Sequence, residues 1–460
     1  MITKEKMIIL KKKVHSKIFK EIARKNDKAF TRKTKLNFSM IMGTILDFEQ
    51  LTLKKKLKKL LKKTKYKNVA YYDMKEFKYI EKSTLCKGRK KIKPMAIKEL
   101  NNDWISNSYT LTNANPDFEL YKNKYILACT DGTTLEIENT KENRRIFGYT
   151  KSKEGYKELA RAGASMLYDP INKKIIDVEI DKYPTKEREL FKKHIKNAKK
   201  LLPLSKEIEL LVISDRGYFS IDLLTYCIEN DISFMFRLPS TSLTKECIEL
   251  ISNDEYIGID LLEKYKNNTH KKEKISKFRK RINELTNSKI TVRLTKVILD
   301  TGEIEYLLSN ISKKVVNYDE MKELYFKRWG IEITYDFLKN TLNIEKFSGI
   351  SKDIITQEFY AHALLSNIAY DLELDAQKTI NRRNKHKDLK WQYQVNRNEM
   401  IDTLSEHFLD LLYEEDSMVR DKIFDNVMEE ISRSVEPIRP NRSFKRNKIN
   451  NGGNKHNRNR

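Results

Sequence analysis

The chain has 460 residues, 39% hydrophobic and 34% charged, and its 92 Lys and Arg against 65 Asp and Glu leave a formal net charge of +27. Enough of it is apolar to bury a core in about two to four domains, and the positive excess calls for a polyanionic partner, nucleic acid first. No apolar run approaches the roughly 18 residues of a membrane span, and 7–10 is too short for a signal-peptide core, so we expect a soluble, cytoplasmic protein that does not engage a membrane.

Residues 1–115 are basic and helix-like. Within 53–65, Leu53, Leu57, Leu60 and Leu61 follow helical spacing with lysines between them, which predicts an amphipathic helix with a cationic outer face. Basic clusters recur at 11–13, 32–35 and 87–93, and their repetition favours a surface that tracks phosphates over a merely solubilising one. Cys86, Cys129, Cys227 and Cys247 form no C-x-x-C pair and have no His at zinc-ligand spacing, so they read as reduced thiols.

From Lys124 the texture turns to strands. The run 125–130 ends at Asp131-Gly132-Thr133 and a second strand-like run follows at 135–138; Asp-Gly between two strands is by itself a hairpin signal, which makes Asp131 a turn residue on local grounds. Strands are expected at 161–169 and 174–180, and a helix over 185–200. The apolar run 207–214 reads as a strand buried on both faces. It stops at Asp215-Arg216-Gly217-Tyr218, where a carboxylate is well placed for a site at the carboxyl end of an α/β sheet, or for capping the helix near Ser220. A last strand at 232–238 precedes a long excursion, with a basic stretch at 271–281 and strand texture at 290–299 and 304–308.

The stretch 325–339, YFKRWGIEITYDFLK, carries Tyr325, Arg328, Glu332 and Lys339, which on one continuous helix leave through an arc of about 60°. Trp329, Ile333 and Phe337 flank this stripe on one side and Leu324, Ile331, Leu338 and Leu342 on the other. The spacing suits a lined site or a solvated face with ion pairs, and Asp336 and Asn340 lie near the stripe, so geometry alone does not single out Glu332. Farther on, 357–372 reads as a core helix, 392–396 and the helix 399–413 as a helical C-terminal region, and 447–460 as a disordered basic tail.

The pattern Tyr-x2-Arg-x3-Glu-x6-Lys resembles the signature of DDE transposases of the insertion-sequence-four type, bacterial cut-and-paste enzymes. The D-G-T at Asp131 and D-R-G-Y at Asp215 are similar to the family's first and second aspartate motifs. The segments 30–38 (FTRKTKLNF) and 83–92 (STLCKGRKKI) look like its N-terminal DNA-binding region, and 437–446 (PIRPNRSFKR) like its tail motif. The resemblance implies an α/β fold with a ribonuclease-H-like catalytic core, in two parts at 116–239 and 313–375. A β-rich module is inserted at 240–312, and helical regions flank the core at 1–115 and 376–446. It implies that Asp131, Asp215 and Glu332 are the catalytic, metal-binding acids, and that Tyr325, Arg328 and Lys339 contact DNA phosphate.

The chemistry agrees with that assignment. Two hard cations, Mg2+ or Mn2+ in its place, prefer carboxylates over His or Cys, and the chain has only seven histidines with no paired motif. Arg328 would grip phosphate by its planar fork and Lys339 as a point charge about 10.5 Å along the helix, on the neighbouring backbone. By the same resemblance the partners are terminal inverted repeats and target DNA, with a homodimer in the synaptic complex. The insertion lacks tryptophan, leaving Tyr256, Tyr265, Phe278 and Tyr306 as stacking candidates for a flipped base. A nuclease of the same fold without strand transfer, or a non-catalytic DNA-binding descendant, remain the competing readings.

Overall fold

The computed structural model describes residues 2–32, 36–49, 51–63, 81–109, 118–151, 158–267, 272–284, 288–299 and 302–439. The expected tail at 447–460, residues 440–446 of the 437–446 motif, and 33–35 within the 30–38 segment lie outside these residues.

Among the described residues one mixed sheet has nine strands. They are β1 (Tyr125–Glu136), β2 (Tyr149–Lys151), β3 (Glu158–Asp169), β4 (Lys174–Lys182), β5 (Glu209–Ser214), β6 (Ser233–Arg237), β7 (Asp254–Asp260), β8 (Lys289–Ile298) and β9 (Ile304–Ser309). Their order is β2-β3-β1-β5-β6-β9-β8-β7, with β4 also paired to β3. β1, β5 and β6 run parallel and the remaining pairs antiparallel. Leu127 and Cys129 enter one core while Ile126 and Ala128 enter the other, so the centre of the sheet is covered on both faces. That double burial accounts for the near-continuous apolar runs of β1 and β5.

β1 departs from the expected hairpin. It runs unbroken through Asp131-Gly132, because β3 pairs with it along this stretch, Asp131 with Met166 and Gly132 with Ser165. A long ladder outweighs the turn preference of two residues. The segment 240–312 supplies β7, β8 and β9, which continue the same sheet beyond β6, and among its described residues three helices, Thr244–Ile248, Leu261–Asn267 and Lys272–Glu284. The last of these is the expected basic stretch, folded as a helix that buries Phe278 and Ile282.

A 33-residue helix, Lys352–Asn384, forms the spine of one core, and its apolar side chains are buried from Ile354 to Leu372. Asn367 and Asp371, two of its buried polar residues, clamp other elements. Asn367 Oδ1 accepts from the Ile175 amide at 2.8 Å, and Asp371 accepts from Trp104 Nε1 at 2.8 Å and pairs with Lys6 at 2.5 Å and Lys174 at 2.8 Å.

Two basic residues expected on a DNA-facing surface are interior. Lys56, in the helix Leu53–Lys63, is 1% exposed, and Arg89 is 0% exposed with its guanidinium 2.7 Å from Glu358 Oε1. Both lie near Glu358 of the spine helix, which pairs with Arg89. Residues 392–396 are not helical either: Tyr393–Val395 pairs antiparallel with Val435–Pro437, a contact no local pattern announces. No helix among the described residues is long and apolar enough to cross a membrane.

Candidate active site

The sheet register sets the first two acids side by side. β1 and β5 are parallel with Thr130 opposite Ser214, so Asp131 and Asp215 follow as neighbours at the same level. β6 lies on the other side of β5 with Phe236 opposite Ser214, which brings Arg237 to that level too. Its guanidinium stands 3.5 Å from Asp215 Oδ1 and 2.5 Å from Glu305 Oε1. Acids and an arginine thus share the carboxyl edge of three parallel strands, where ligands of α/β sheets gather.

The signature segment crosses over this edge, but not as the single helix its spacing suggested. One helix, Tyr318–Phe326, ends before Lys327, and a second spans Trp329–Asp336. Between them the chain tightens, with Arg328 N bonded to Tyr325 O at 3.0 Å and Ile331 N to Arg328 O at 3.0 Å. It then widens into a π turn, Phe337–Thr341, that contains Lys339. Overwinding and underwinding of this kind re-aim side chains locally. Gly330 permits the close approach, because a Cβ there would lie 3.1 Å from Pro170 Cβ. The flanks also differ from expectation: Trp329 and Ile333 are exposed at 43% and 58%, while Phe337, Leu324 and Ile331 are buried.

The segment nevertheless brings its polar residues to the acids. Tyr325 donates its hydroxyl to Asp215 Oδ1 at 3.3 Å, and burial pushes that phenol up to about 12, so it remains a donor. Arg328, 6% exposed, donates to Glu332 Oε1 at 2.9 Å. Tyr335, one turn beyond Glu332, donates to the Asp131 carbonyl at 2.9 Å. Lys339 is drawn along β1, donating to Thr134 O at 3.0 Å with Glu345 3.9 Å away.

Asp131 Oδ1 accepts from the Gly132 amide at 2.9 Å. Burial pushes this carboxyl up to about 6, with Glu187 and Glu332 adding to the shift and the Gly132 amide and Arg328 opposing it. Crowded acids in a partly buried cleft favour the uptake of positive charge.

Glu187 is a fourth acid here that the sequence reading did not single out. It opens the helix Glu187–Leu201, and its Oε1 would meet a Cβ on Gly132 at 2.6 Å while Oε2 would meet one on Gly217 at 3.6 Å. The glycines that follow Asp131 and Asp215 leave room for it, the one signal in the sequence that could have pointed to it. Burial, then the Asp215 charge, raises its pKa. Arg188 ties the same helix to the Asp215 loop, donating to Phe219 O at 2.7 Å and Gly217 O at 3.1 Å.

The donors are all hard oxygens, the type that suits Mg2+ or Mn2+. Among the described residues, no three His, Cys, Asp or Glu side chains stand ready to hold a metal ion as they are oriented. Glu332 is turned to Arg328 and would have to swing from it toward the two aspartates.

The stacking candidates fare unequally. Tyr265 and Phe278 stack on each other at 3.7 Å, Phe278 is buried, and the exposed Tyr256 accepts from the Lys313 amide at 3.0 Å. Tyr306 is partly buried against the core.

Acids gathered with Arg237 and Arg328 at the carboxyl edge of parallel strands define an α/β protein with a charged site at that edge. Residues 122–368, more than half of the chain and including Asp131, Asp215 and Glu332, match the family described as Transposase DDE domain, and the chain belongs to that family. It is therefore a transposase, a nucleic-acid-modifying enzyme. Among solved structures it is similar to a piggyBac transposase, described as a synaptic complex with hairpin DNA. Identity is 10% and the TM-score 0.43, over 95% of this chain and 87% of that one. No curated protein matches the sequence.

Proposed function

We propose that this transposase is of the insertion-sequence-four type, and that it frees a mobile element by cleaving DNA at terminal inverted repeats and joins the 3′-hydroxyls to target DNA. The observation that carries this reading is the register of β1 and β5, with Thr130 opposite Ser214, which makes Asp131 and Asp215 neighbours under the segment bearing Tyr325, Arg328, Glu332 and Lys339. The antiparallel run β1-β3-β4, followed by β5 and β6 parallel to β1, supports a ribonuclease-H-like core.

In this reading Asp131, Asp215 and Glu332 hold divalent cations, Mg2+ or Mn2+. When bound, these would activate the attacking oxygen and stabilise the leaving one. Arg328 releases Glu332 and turns its fork to the scissile phosphate, a bidentate contact that compensates the lost ion pair. Tyr325 orients Asp215 and offers its hydroxyl to the same backbone. Lys339, held by a main-chain oxygen, exchanges that bond for a flanking phosphate. Arg237 neutralises Asp215 until the cations arrive. Synapsis of two ends calls for a homodimer, assembled in the cytoplasm on DNA.

A joining assay tests the reading. Labelled end DNA, supercoiled target and Mg2+ are incubated with the full chain, and end-to-target joints are expected. Cleavage without joints would make the protein a nuclease, and neither would leave a DNA-binding descendant.

A further inference from the structure

A chain of fully buried polar side chains runs from the acid edge into the interior. Ser165, on β3 opposite Gly132, donates its Oγ hydrogen to the Asp131 carbonyl at 3.2 Å. His194, on the helix Glu187–Leu201, sets Nε2 3.0 Å from Ser165 Oγ and Nδ1 2.6 Å from Asp177 Oδ2. Asp177 Oδ1 pairs with Lys98 Nζ at 2.7 Å, and Asn197 Nδ2 lies 3.3 Å from both its oxygens. Ser165, Asp177 and His194 are 0% exposed.

The order of Ser, His and Asp is that of a hydrolytic triad, but no substrate can reach a hydroxyl with no exposure. Its hydrogens point elsewhere. An ionised Asp177 can only accept, so His194 Nδ1 carries hydrogen. Ser165 gives its one hydrogen to the Asp131 carbonyl, with His194 Nε2 3.0 Å behind its oxygen. The chain ends on that one main-chain oxygen. β5 partners β1 only as far as Thr130, so that oxygen lies where the parallel ladder has stopped. Two hydroxyls hold it: Ser165, backed by His194, and Tyr335, from the helix of Glu332.

We propose that Ser165, His194 and Asp177 are positioning residues for Asp131, fixing its main chain so that its carboxylate meets a divalent cation in one orientation. The inference rests on reading Asp131 as a cation-holding acid. None of the three touches substrate or cation. Ser165→Ala leaves the pairs of Asp177 with His194 and Lys98 in place, so its effect should appear in cation affinity more than in folding.

The test uses the full chain, with Ser165→Ala to remove the terminal bond and His194→Gln to remove the support behind it. Ser214→Ala is the control, a buried hydroxyl beside Asp215 with no hydrogen-bond partner among the described residues. Mn2+ binding is read by electron paramagnetic resonance, and end-DNA cleavage is followed against Mg2+ concentration. We expect Ser165→Ala to bind Mn2+ roughly ten-fold more weakly, to need correspondingly more Mg2+ for half-maximal cleavage, and to approach the wild-type rate at saturating Mg2+. His194→Gln should move in the same direction and Ser214→Ala should not move.

Unchanged Mn2+ affinity in both Ser165→Ala and His194→Gln overturns the positioning role, as does an equal loss in Ser214→Ala. A wild-type protein that binds no Mn2+ overturns the acid site itself and this inference with it. Wild-type binding that the variants leave intact overturns only the inference.

Discussion

The Tyr335 hydroxyl donates to the main-chain oxygen of Asp131 at 2.9 Å, joining the helix that carries Glu332 to the strand that carries the first acid. These elements are separated by about two hundred residues of chain, and the bond fixes their approach three residues from Glu332. Tyr335→Phe keeps the ring and deletes the bond. The cost to stability should be about 1 kcal/mol, the usual worth of one such bond. End-DNA cleavage should fall roughly ten-fold, because the carboxylates no longer share a fixed frame. Thermal unfolding and a cleavage time course check both, and an unchanged rate would show that the helix needs no such tether.

Arg237 stands at the level of the acids, paired with Asp215 and Glu305. If it also meets DNA phosphate, Arg237→Gln should weaken end-DNA binding and lower the salt slope of log affinity by about 0.9, the release of one counterion site. Titrations at several salt concentrations measure this. A parallel shift with no change of slope would assign Arg237 to the protein interior alone.

Gly330 has Pro170 Cβ 3.1 Å and Tyr168 Cε1 3.3 Å from where a side chain would begin. Gly330→Ala should push the Glu332 helix off β3, destabilising the fold by about 1 to 3 kcal/mol as overpacked sites do. Denaturant unfolding reads the loss, and full stability would mean that the helix shifts freely.

Acid stability should depend on the Arg89–Glu358 pair. Burial alone would raise the Glu358 carboxyl, but Arg89 and Lys56 hold it down to about 2, against an ordinary value near 4.5. A carboxyl depressed in the folded state contributes stability that is fully present above its unfolded pKa and is lost as pH falls toward 2. The contribution is about 3 kcal/mol. Stability measured from pH 6 to pH 2 should decline mainly below pH 4.5, and Glu358→Gln should flatten that decline while lowering stability at neutral pH.

The strands of the sheet were legible because two-sided burial writes apolar runs into β1, β5 and β6. Asp215 was legible because its strand visibly stops. Asp131 was hidden behind an Asp-Gly turn signal that only the distant pairing with β3 overrides. The 325–339 stretch predicted a face but not its break, since tightening at Arg328 and the π turn at Lys339 answer to Pro170, Tyr168 and β1, none of them local. Lys56 and Arg89 look like surface charge until Glu358 is brought in from the other side of the chain. Ser165, His194 and Asp177 carry no spacing signal, being gathered from two strands and a helix.

The central claim is that Asp131, Asp215 and Glu332 act together on a DNA strand. The most direct measurement is Mg2+-dependent cleavage of inverted-repeat end DNA by Asp131→Asn, Asp215→Asn and Glu332→Gln, with binding of the same DNA followed in parallel. The account predicts that each variant binds and none cleaves. Cleavage at the wild-type rate by all of them would contradict it.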